Sequence, residues 1–263
     1  AASGVAATAV TPMALAANQP GTNHASSTME SSRRVKPSEF IIFPWGGMPG
    51  APANGPWGDL VDIDHMMKDL FDCGFNTSGF TRTQNIRHIR NNQLAGILSV
   101  GINTNQEITQ EEADNTIRKV MESITDPEDR KAVHAIYIRD EPNASLFPRL
   151  AIWSEAVKKQ GILPYINLFP DYAGPEGLGT KDYQEHLDQY VEICDPPYIS
   201  YDNYSLFEGG QLDEDRFYGN IESIRLKSLQ AGIPFWNVIL ANAHFKYAEP
   251  SDATFAIQVY STL

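Results

Sequence analysis

Two neighbouring carboxylic acids, Asp140 and Glu141, end the stretch AVHAIYIRDEPN (132–143), in which apolar and polar residues alternate as in a strand. A carboxyl group buried beneath aromatic side chains loses hydration, so its pKa rises and it can donate a proton near neutral pH. Because side chains alternate along a strand, we expect only one of the two acids to face a pocket. We predict that Glu141 is the proton donor; the alternative is that both acids cap the following helix.

The segments that position these acids alternate between strand and helix patterns. Seven strands are predicted, at EFIIFPWGG (39–47), FNTSGF (75–80), AGILSVGIN (95–103), AVHAIYIRDEP (132–142), ILPYINLFP (162–170), YISYDNY (198–204) and PFWNVILAN (234–242). Such alternation predicts a parallel sheet with right-handed crossovers. We predict an α/β fold, a (β/α)₈ TIM barrel with seven β/α units and the eighth missing at the C-terminus. The alternative is an open doubly wound sheet, although no glycine-rich phosphate loop follows the first strand.

The strand ends supply further polar and aromatic side chains. In a barrel the active site lies at the carboxyl ends of the strands. The candidates are Trp45, Asn76, Asp140, Asn167, Tyr172, Asp202, Tyr204, Asn242 and His244. Aromatic faces pack on the C–H faces of sugar rings, and amides and carboxylates bond hydroxyl groups. The set therefore predicts a carbohydrate ligand, although each residue alone also has a structural explanation, such as turn formation by asparagine.

Hydrolysis of a glycosidic bond requires a second carboxyl group opposite the proton donor. Asp202 ends the predicted sixth strand, two strands from Glu141, and is our preferred partner. Glu249, beyond the seventh strand, and a residue on the missing eighth strand are the alternatives.

The stretch YIRDEPN resembles the Asn-Glu-Pro signature of clan A glycoside hydrolases, which are retaining (β/α)₈ enzymes. The resemblance implies that Glu141 is the acid/base, with Asp140 in place of the asparagine. From about Phe40 onward, the chain also resembles secreted bacterial glycoside-hydrolase-like barrels, through FPWGG, DEPN, YINLFPDYA, YISYDNY and PFWNVILAN. One departure is that the family's nucleophilic glutamate ends strand seven, where this chain has Asn242 and His244.

The amino-acid composition excludes several classes of binding partner. The 263 residues carry a formal net charge of -13, with a pI near 4.8. This balance argues against nucleic acid, because no basic surplus can neutralise phosphates. No apolar run is long enough for a membrane span. The six histidines are scattered, so we predict no metal and no cofactor.

The first 34 residues are rich in Ala, Ser and Thr and do not have the pattern of a hydrophobic core segment. VAATAVTPMALAA (5–17) is similar to the end of a signal peptide. We predict a signal-peptide remnant and disordered linker over 1–34, a catalytic barrel domain over 35–263, and a secreted or periplasmic location. A flexible tail without a targeting role is the alternative.

Taken together, the sequence predicts a glycosidase that degrades a poly- or oligosaccharide. A catalytically inactive, carbohydrate-binding barrel is the main alternative, because strand seven lacks the expected glutamate. A metal-dependent barrel hydrolase is a further alternative, and it would require clustered ligands at the strand ends.

Overall fold

The structure is a computed structural model that describes residues 40–45 and 62–263. The predicted signal-peptide remnant and linker (1–34), and Glu39, Gly46 and Gly47 of the first predicted strand, lie outside the described residues. Within the described ranges, no helix is both long and apolar enough to cross a bilayer.

Six parallel strands form one sheet, in the order in which they occur along the described chain. They are β1 (Thr77–Thr81), β2 (Ala95–Ser99), β3 (Val133–Asp140), β4 (Leu163–Leu168), β5 (Ile199–Asp202) and β6 (Phe235–Val238). These are the second to seventh predicted strands, so the parallel α/β prediction is confirmed. A doubly wound sheet reverses its strand order part-way, whereas this sheet does not.

Residues 40–45 of the first predicted strand do not form a regular strand. Hydrogen bonds nevertheless hold this segment beside the start of β1. The backbone N–H groups of Asn76 and Thr77 both donate to the Ile42 carbonyl, at 3.1 and 3.2 Å. The Asn76 side chain accepts from Ile42 N at 2.9 Å and donates to the Phe40 carbonyl at 2.7 Å. Asn76 therefore holds the segment beside the start of β1.

Asn76 was predicted to lie at the carboxyl end of its strand, and this placement is wrong. The strand begins at Thr77, so Asn76 lies at the opposite end of the sheet from the acids. The strand extends through Gly79 and Phe80 to Thr81, so the asparagine precedes the strand and does not end it.

We expect Asn76→Ala to destabilise the fold by about 2–3 kcal/mol, because each lost buried hydrogen bond costs roughly 1 kcal/mol. The measurement is the free energy of unfolding from urea denaturation. Asn91→Ala, at the exposed end of a helix, serves as the control. An Asn76→Ala protein as stable as the control would contradict the fastening role.

Helices link the strands of the described chain. Their bounds are α1 (Ile63–Asp72), α2 (Ile86–Asn91), α3 (Gln110–Ser123), α4 (Pro127–Lys131), α5 (Phe147–Lys158), α6 (Pro175–Leu178), α7 (Tyr183–Cys194), α8 (Glu214–Ala231) and α9 (Asp252–Thr262). Short 3₁₀ turns precede α2 and α5. The caps follow from local sequence. Thr109 and Glu112 form a capping box on α3, and Ser251 caps α9.

The sheet is curled, so that it has an outer and an inner face. Outward side chains such as Ile136 and Leu168 pack against the helices in the larger core. The inner face holds the interior ring cluster, which consists of Phe43, Trp45, Phe80, Tyr137, Tyr165, Tyr198 and Trp236.

Ring contacts across this cluster demonstrate the curvature. In a flat sheet with strands about 4.8 Å apart, β1 and β4 would be separated by roughly 14 Å. The rings of Phe80 on β1 and Tyr165 on β4 nevertheless have centroids 6.1 Å apart. His134 on β3 and Trp236 on β6 are likewise only 6.2 Å apart. The curled sheet therefore encloses an aromatic interior beneath the carboxyl ends of its strands.

Candidate active site

Asp140 bonds Asn167 on the inner side of the sheet, and Glu141 lies close enough to Asp202 for its charge to raise the pKa of that acid. Both acids therefore border the inner side, which differs from the prediction that only one would. The register of β3 against β4 shifts between Tyr137 and Arg139. This irregularity allows Tyr137 and Asp140, three residues apart, to share the inner face. Glu141 then leaves the strand in the left-handed region, with φ of 43°. The end of the strand thus breaks the alternation that the sequence pattern implied.

Asn167 joins two of the acids. Its side-chain nitrogen donates to Asp140 Oδ1 at 3.2 Å and to Asp202 Oδ1 at 3.1 Å. The two carboxyl oxygens are therefore no farther apart than the sum of these distances. Ser200 donates to Asn167 Oδ1 at 2.8 Å, and this bond fixes the orientation of the amide. Asn167 and Ser200 are buried, so the arrangement is rigidly held.

Burial raises the pKa of Asp202 to about 7, and the negative charges of Glu141 and Asp140 add to the shift. Burial also raises the pKa of Asp140 and of Glu141, and the charge of Asp140 contributes for Glu141. These three acids, hereafter the carboxyl cluster, therefore interact electrostatically. A cluster of this kind keeps a proton at neutral pH, because full ionisation would crowd three negative charges together.

Glu141 is the most available member of the cluster. Its carboxyl group accepts no hydrogen bond from any residue in the described part of the chain, and its side chain is only half-buried. Asp202, in contrast, is 8% exposed and bonded to Asn167. A left-handed backbone costs a non-glycine residue roughly 1 kcal/mol or more and is frequent at active sites. Glu141 is thus positioned to touch a ligand, whereas Asp202 lies deeper.

Aromatic side chains from the loops after β4, β5 and β6 border the cluster. Burial raises the pKa of Tyr204, and the charges of the carboxyl cluster add to the shift, so its hydroxyl lies near the acids. Tyr204 packs edge-on against His244, with ring centroids 4.9 Å apart. The Tyr172 hydroxyl accepts a hydrogen bond from Tyr204 N at 3.3 Å. The structure therefore brings Tyr172, Tyr204 and His244 together at the rim.

The remaining predicted site residues have different surroundings. Trp45 packs edge-on against Phe80 and Tyr165, as part of the interior ring cluster beneath the acids. Asn242 is exposed, and its carbonyl oxygen lies 3.2 Å from Nδ1 of His244. The Glu249 carboxylate accepts a hydrogen bond from the backbone N–H of Ala243 at 3.1 Å, so it stabilises the loop that contains both residues.

Several residues of the site were not predicted. The sequence could have indicated Ser200, because it lies two residues before Asp202 and therefore on the same face of β5. Arg216 and Tyr247 carry no comparable signal. The Arg216 guanidinium lies 3.2 Å from the centroid of the Tyr172 ring and 3.4 Å from the Tyr247 hydroxyl. Only the folding of α8 and of the loop after β6 brings them to Tyr172.

Within residues 40–45 and 62–263, no group of three or more His, Cys, Asp or Glu side chains is arranged to hold a metal ion.

No protein-family model and no curated protein sequence matches the chain. Solved structures give distant matches. A family GH18 chitinase from Pseudoalteromonas aurantia has a TM-score of 0.46 at 9% identity, over 71% of this chain and 80% of that one. A chitinase from Chromobacterium violaceum has a TM-score of 0.41 at 10% identity, over 66% of this chain and 64% of that one. A homocysteine methyltransferase from Escherichia coli has a TM-score of 0.40 at 9% identity, over 76% of this chain and 84% of that one. This chain therefore spans less than two thirds of the C. violaceum chitinase, and similarities at this level do not select an activity.

The raised pKa of Asp202 carries a stability cost. An ordinary aspartate has a pKa near 3.8, whereas folded Asp202 titrates at about 7, so the folded state binds more protons between these values. Stability therefore falls as the pH rises through this window. We expect Asp202→Asn to be more stable than the wild type at pH 8, by on the order of 2 kcal/mol.

Thermal unfolding at several pH values checks this expectation. The difference between Asp202→Asn and the wild type should shrink as the pH falls toward 4, because the free-energy cost of protonating Asp202 on folding decreases as the pH approaches its ordinary pKa of 3.8. The exposed substitution Asp215→Asn provides the control. An Asp202→Asn protein that melts below the wild type at pH 8 would contradict the assigned cost.

Proposed function

We propose that the chain is a glycoside hydrolase that cleaves O-glycosidic bonds in a poly- or oligosaccharide, with Glu141 and Asp202 as its two catalytic carboxyl groups. The observation that carries the proposal is the carboxyl cluster itself. Three acids share one inner face at the strand ends, two of them bond one asparagine, and the pKa of Asp202 is raised to about 7. Maintaining such a cluster costs stability, and acid/base chemistry is the function that it supports best.

In the proposed reaction, Glu141 and Asp202 share one proton. Glu141 is the more accessible, so it donates the proton to the leaving oxygen of the glycosidic bond. Donation leaves both carboxyl groups ionised, and the Asn167 N–H stabilises the charge of Asp202 at 3.1 Å. As the C1–O bond breaks, a water molecule bonds to C1 and gives its proton to Asp202, so that the pair again holds one proton. Because the two acids interact, their titration belongs to the pair rather than to either residue.

The surroundings support a sugar ligand. Tyr172, Tyr204 and His244 supply aromatic and polar contacts at the rim, while Asp140 and Asn167 supply hydrogen-bonding groups beside the catalytic acids. Trp45 contributes a hydrophobic floor, and Asn242 contributes an amide at the outer edge. Such a mixture of ring faces and hydroxyl-bonding groups suits a pyranose.

We further propose that the curled sheet is part of a (β/α)₈ barrel, in which residues 40–45 stand in the place of the first strand. The contacts of Ile42 beside β1 and the shared aromatic interior support this assignment. We also propose that the enzyme is secreted or periplasmic and acts on its polysaccharide outside the cytoplasm.

The test is a screen of wild-type protein against soluble polysaccharides, with release of reducing ends as the readout. Glucomannan, laminarin, xylan and glycol chitin span several sugars and linkages. We expect new reducing ends from at least one of them, and none from the same reaction with Glu141→Gln. Binding to a polysaccharide without any release would instead favour the inactive carbohydrate-binding barrel.

A further inference from the structure

Phe245 projects into solvent at the edge of the candidate site. Its exposed fraction is 97%, although phenylalanine is a residue that proteins ordinarily bury. Its backbone is also left-handed, with φ of 49°, which is unfavourable for a bulky side chain. Neither feature stabilises the fold, so both indicate a role outside folding.

The loop that presents Phe245, residues 243–249, is fastened on both sides. His244 and Tyr247 exchange backbone hydrogen bonds, at 3.3 Å from His244 N and at 2.9 Å from Tyr247 N. Ala248 N donates to the carbonyl of Leu206 at 3.0 Å, in the loop after β5. The exposed ring of Phe245 therefore lies on a loop that backbone hydrogen bonds hold in place.

The ring of Phe245 also continues a line that begins at the acids. Tyr204 lies near the carboxyl cluster, whose charges raise its pKa. Its ring is followed by that of His244 at 4.9 Å, and His244 is followed by Phe245 at 5.6 Å between centroids. These three rings, hereafter the ring row, lead from the catalytic acids to solvent.

We propose that Phe245 is an outer sugar-binding residue, and that the ring row binds a saccharide chain extending several units beyond the scissile bond. This inference rests on the proposed function and deepens it, because it assigns a polymeric or long oligomeric substrate rather than a small glycoside. Pyranose C–H faces pack on aromatic faces, and an exposed ring retains its whole surface for such a contact. The uncharged ring suits a neutral sugar at this position.

The experiment uses cello-, manno-, xylo-, laminari- and chito-oligosaccharides of two to six units, with the 263-residue chain. Phe245→Ala should raise KM about three- to tenfold for the hexasaccharide that the wild type cleaves, with a smaller effect for shorter members. Phe245→Trp should restore the affinity, because it restores a ring. Phe255→Ala, an exposed phenylalanine on α9, provides the matched control. Thermal melting of Phe245→Ala should not fall below that of the wild type.

Affinity electrophoresis in gels containing glucomannan, laminarin, xylan or glycol chitin separates the possible failures. Gel retardation of Phe245→Ala equal to that of the wild type, or a KM change independent of chain length, would overturn the ring row alone. Retardation of the wild type without release of reducing ends would overturn the hydrolase proposal, while weaker retardation of Phe245→Ala would still support the ring row. A wild type that no polysaccharide retards and no oligosaccharide engages would overturn both.

Discussion

Replacing Glu141 by glutamine should reduce turnover of the responsive polysaccharide by about a thousandfold, within the range that removal of a general acid produces. Glutamine preserves the size of the side chain and its hydrogen-bonding capacity, but it cannot donate a proton to a leaving oxygen. The half-buried position of Glu141, and the lack of a hydrogen bond to its carboxyl group from any described residue, predict that the substitution leaves the surroundings in place. Binding should therefore persist.

The readouts are the rate of reducing-end release and the retardation in affinity gels. Glu192→Gln, an exposed substitution on α7, controls for handling and assay. Turnover by Glu141→Gln within threefold of the wild type would remove Glu141 from the chemistry. A loss of both turnover and binding, with an unchanged melting temperature, would make it a binding residue instead.

Replacing Asp202 by asparagine should reduce turnover by about a hundredfold or more and should change the pH dependence. The pKa of Asp202 is raised to about 7, so the cluster keeps its shared proton below that pH and loses it above. Wild-type kcat/KM should therefore fall about tenfold for each pH unit above 7. In Asp202→Asn the raised group is absent, so this alkaline limb should disappear from near pH 7.

The pH profile from 4 to 9 with the responsive polysaccharide is the measurement for this second prediction. Asp215→Asn at the start of α8 is the matched control, and it should reproduce the wild-type profile. Because asparagine can still accept the bond from Asn167, the fold should survive the substitution. An Asp202→Asn enzyme with the wild-type alkaline limb would show that another group holds the proton.

Much of the fold could be predicted from the sequence because it depends on local periodicity. The short buried run at YIN in β4 is typical of a strand covered on both faces, and the alternation through Ser200 and Asp202 in β5 has the period of a strand. The Thr109 and Ser251 caps likewise identify helix starts within a residue or two. The parallel direction of the strands followed from their alternation with helices.

The parts that could not be predicted depend on local irregularity or on distant contacts. The register shift in β3 and the left-handed Glu141 together place both acids inward, and a period-two pattern contains no sign of either. Asn76 was misplaced because an asparagine beside a strand reads equally well as its beginning or its end. The pairing of Arg216 with Tyr172 joins an α8 residue to a loop more than 40 positions earlier, which no local signal could indicate.

A ¹³C NMR titration of the Asp202 carboxyl tests most directly whether Asp140, Glu141 and Asp202 act as one coupled acid/base centre. Its resonance can be assigned by its absence from Asp202→Asn. We expect a midpoint near pH 7 in the wild type and a lower midpoint in Glu141→Gln, since the charge of Glu141 contributes to the raised pKa of Asp202. A midpoint near 4 in both proteins would contradict it.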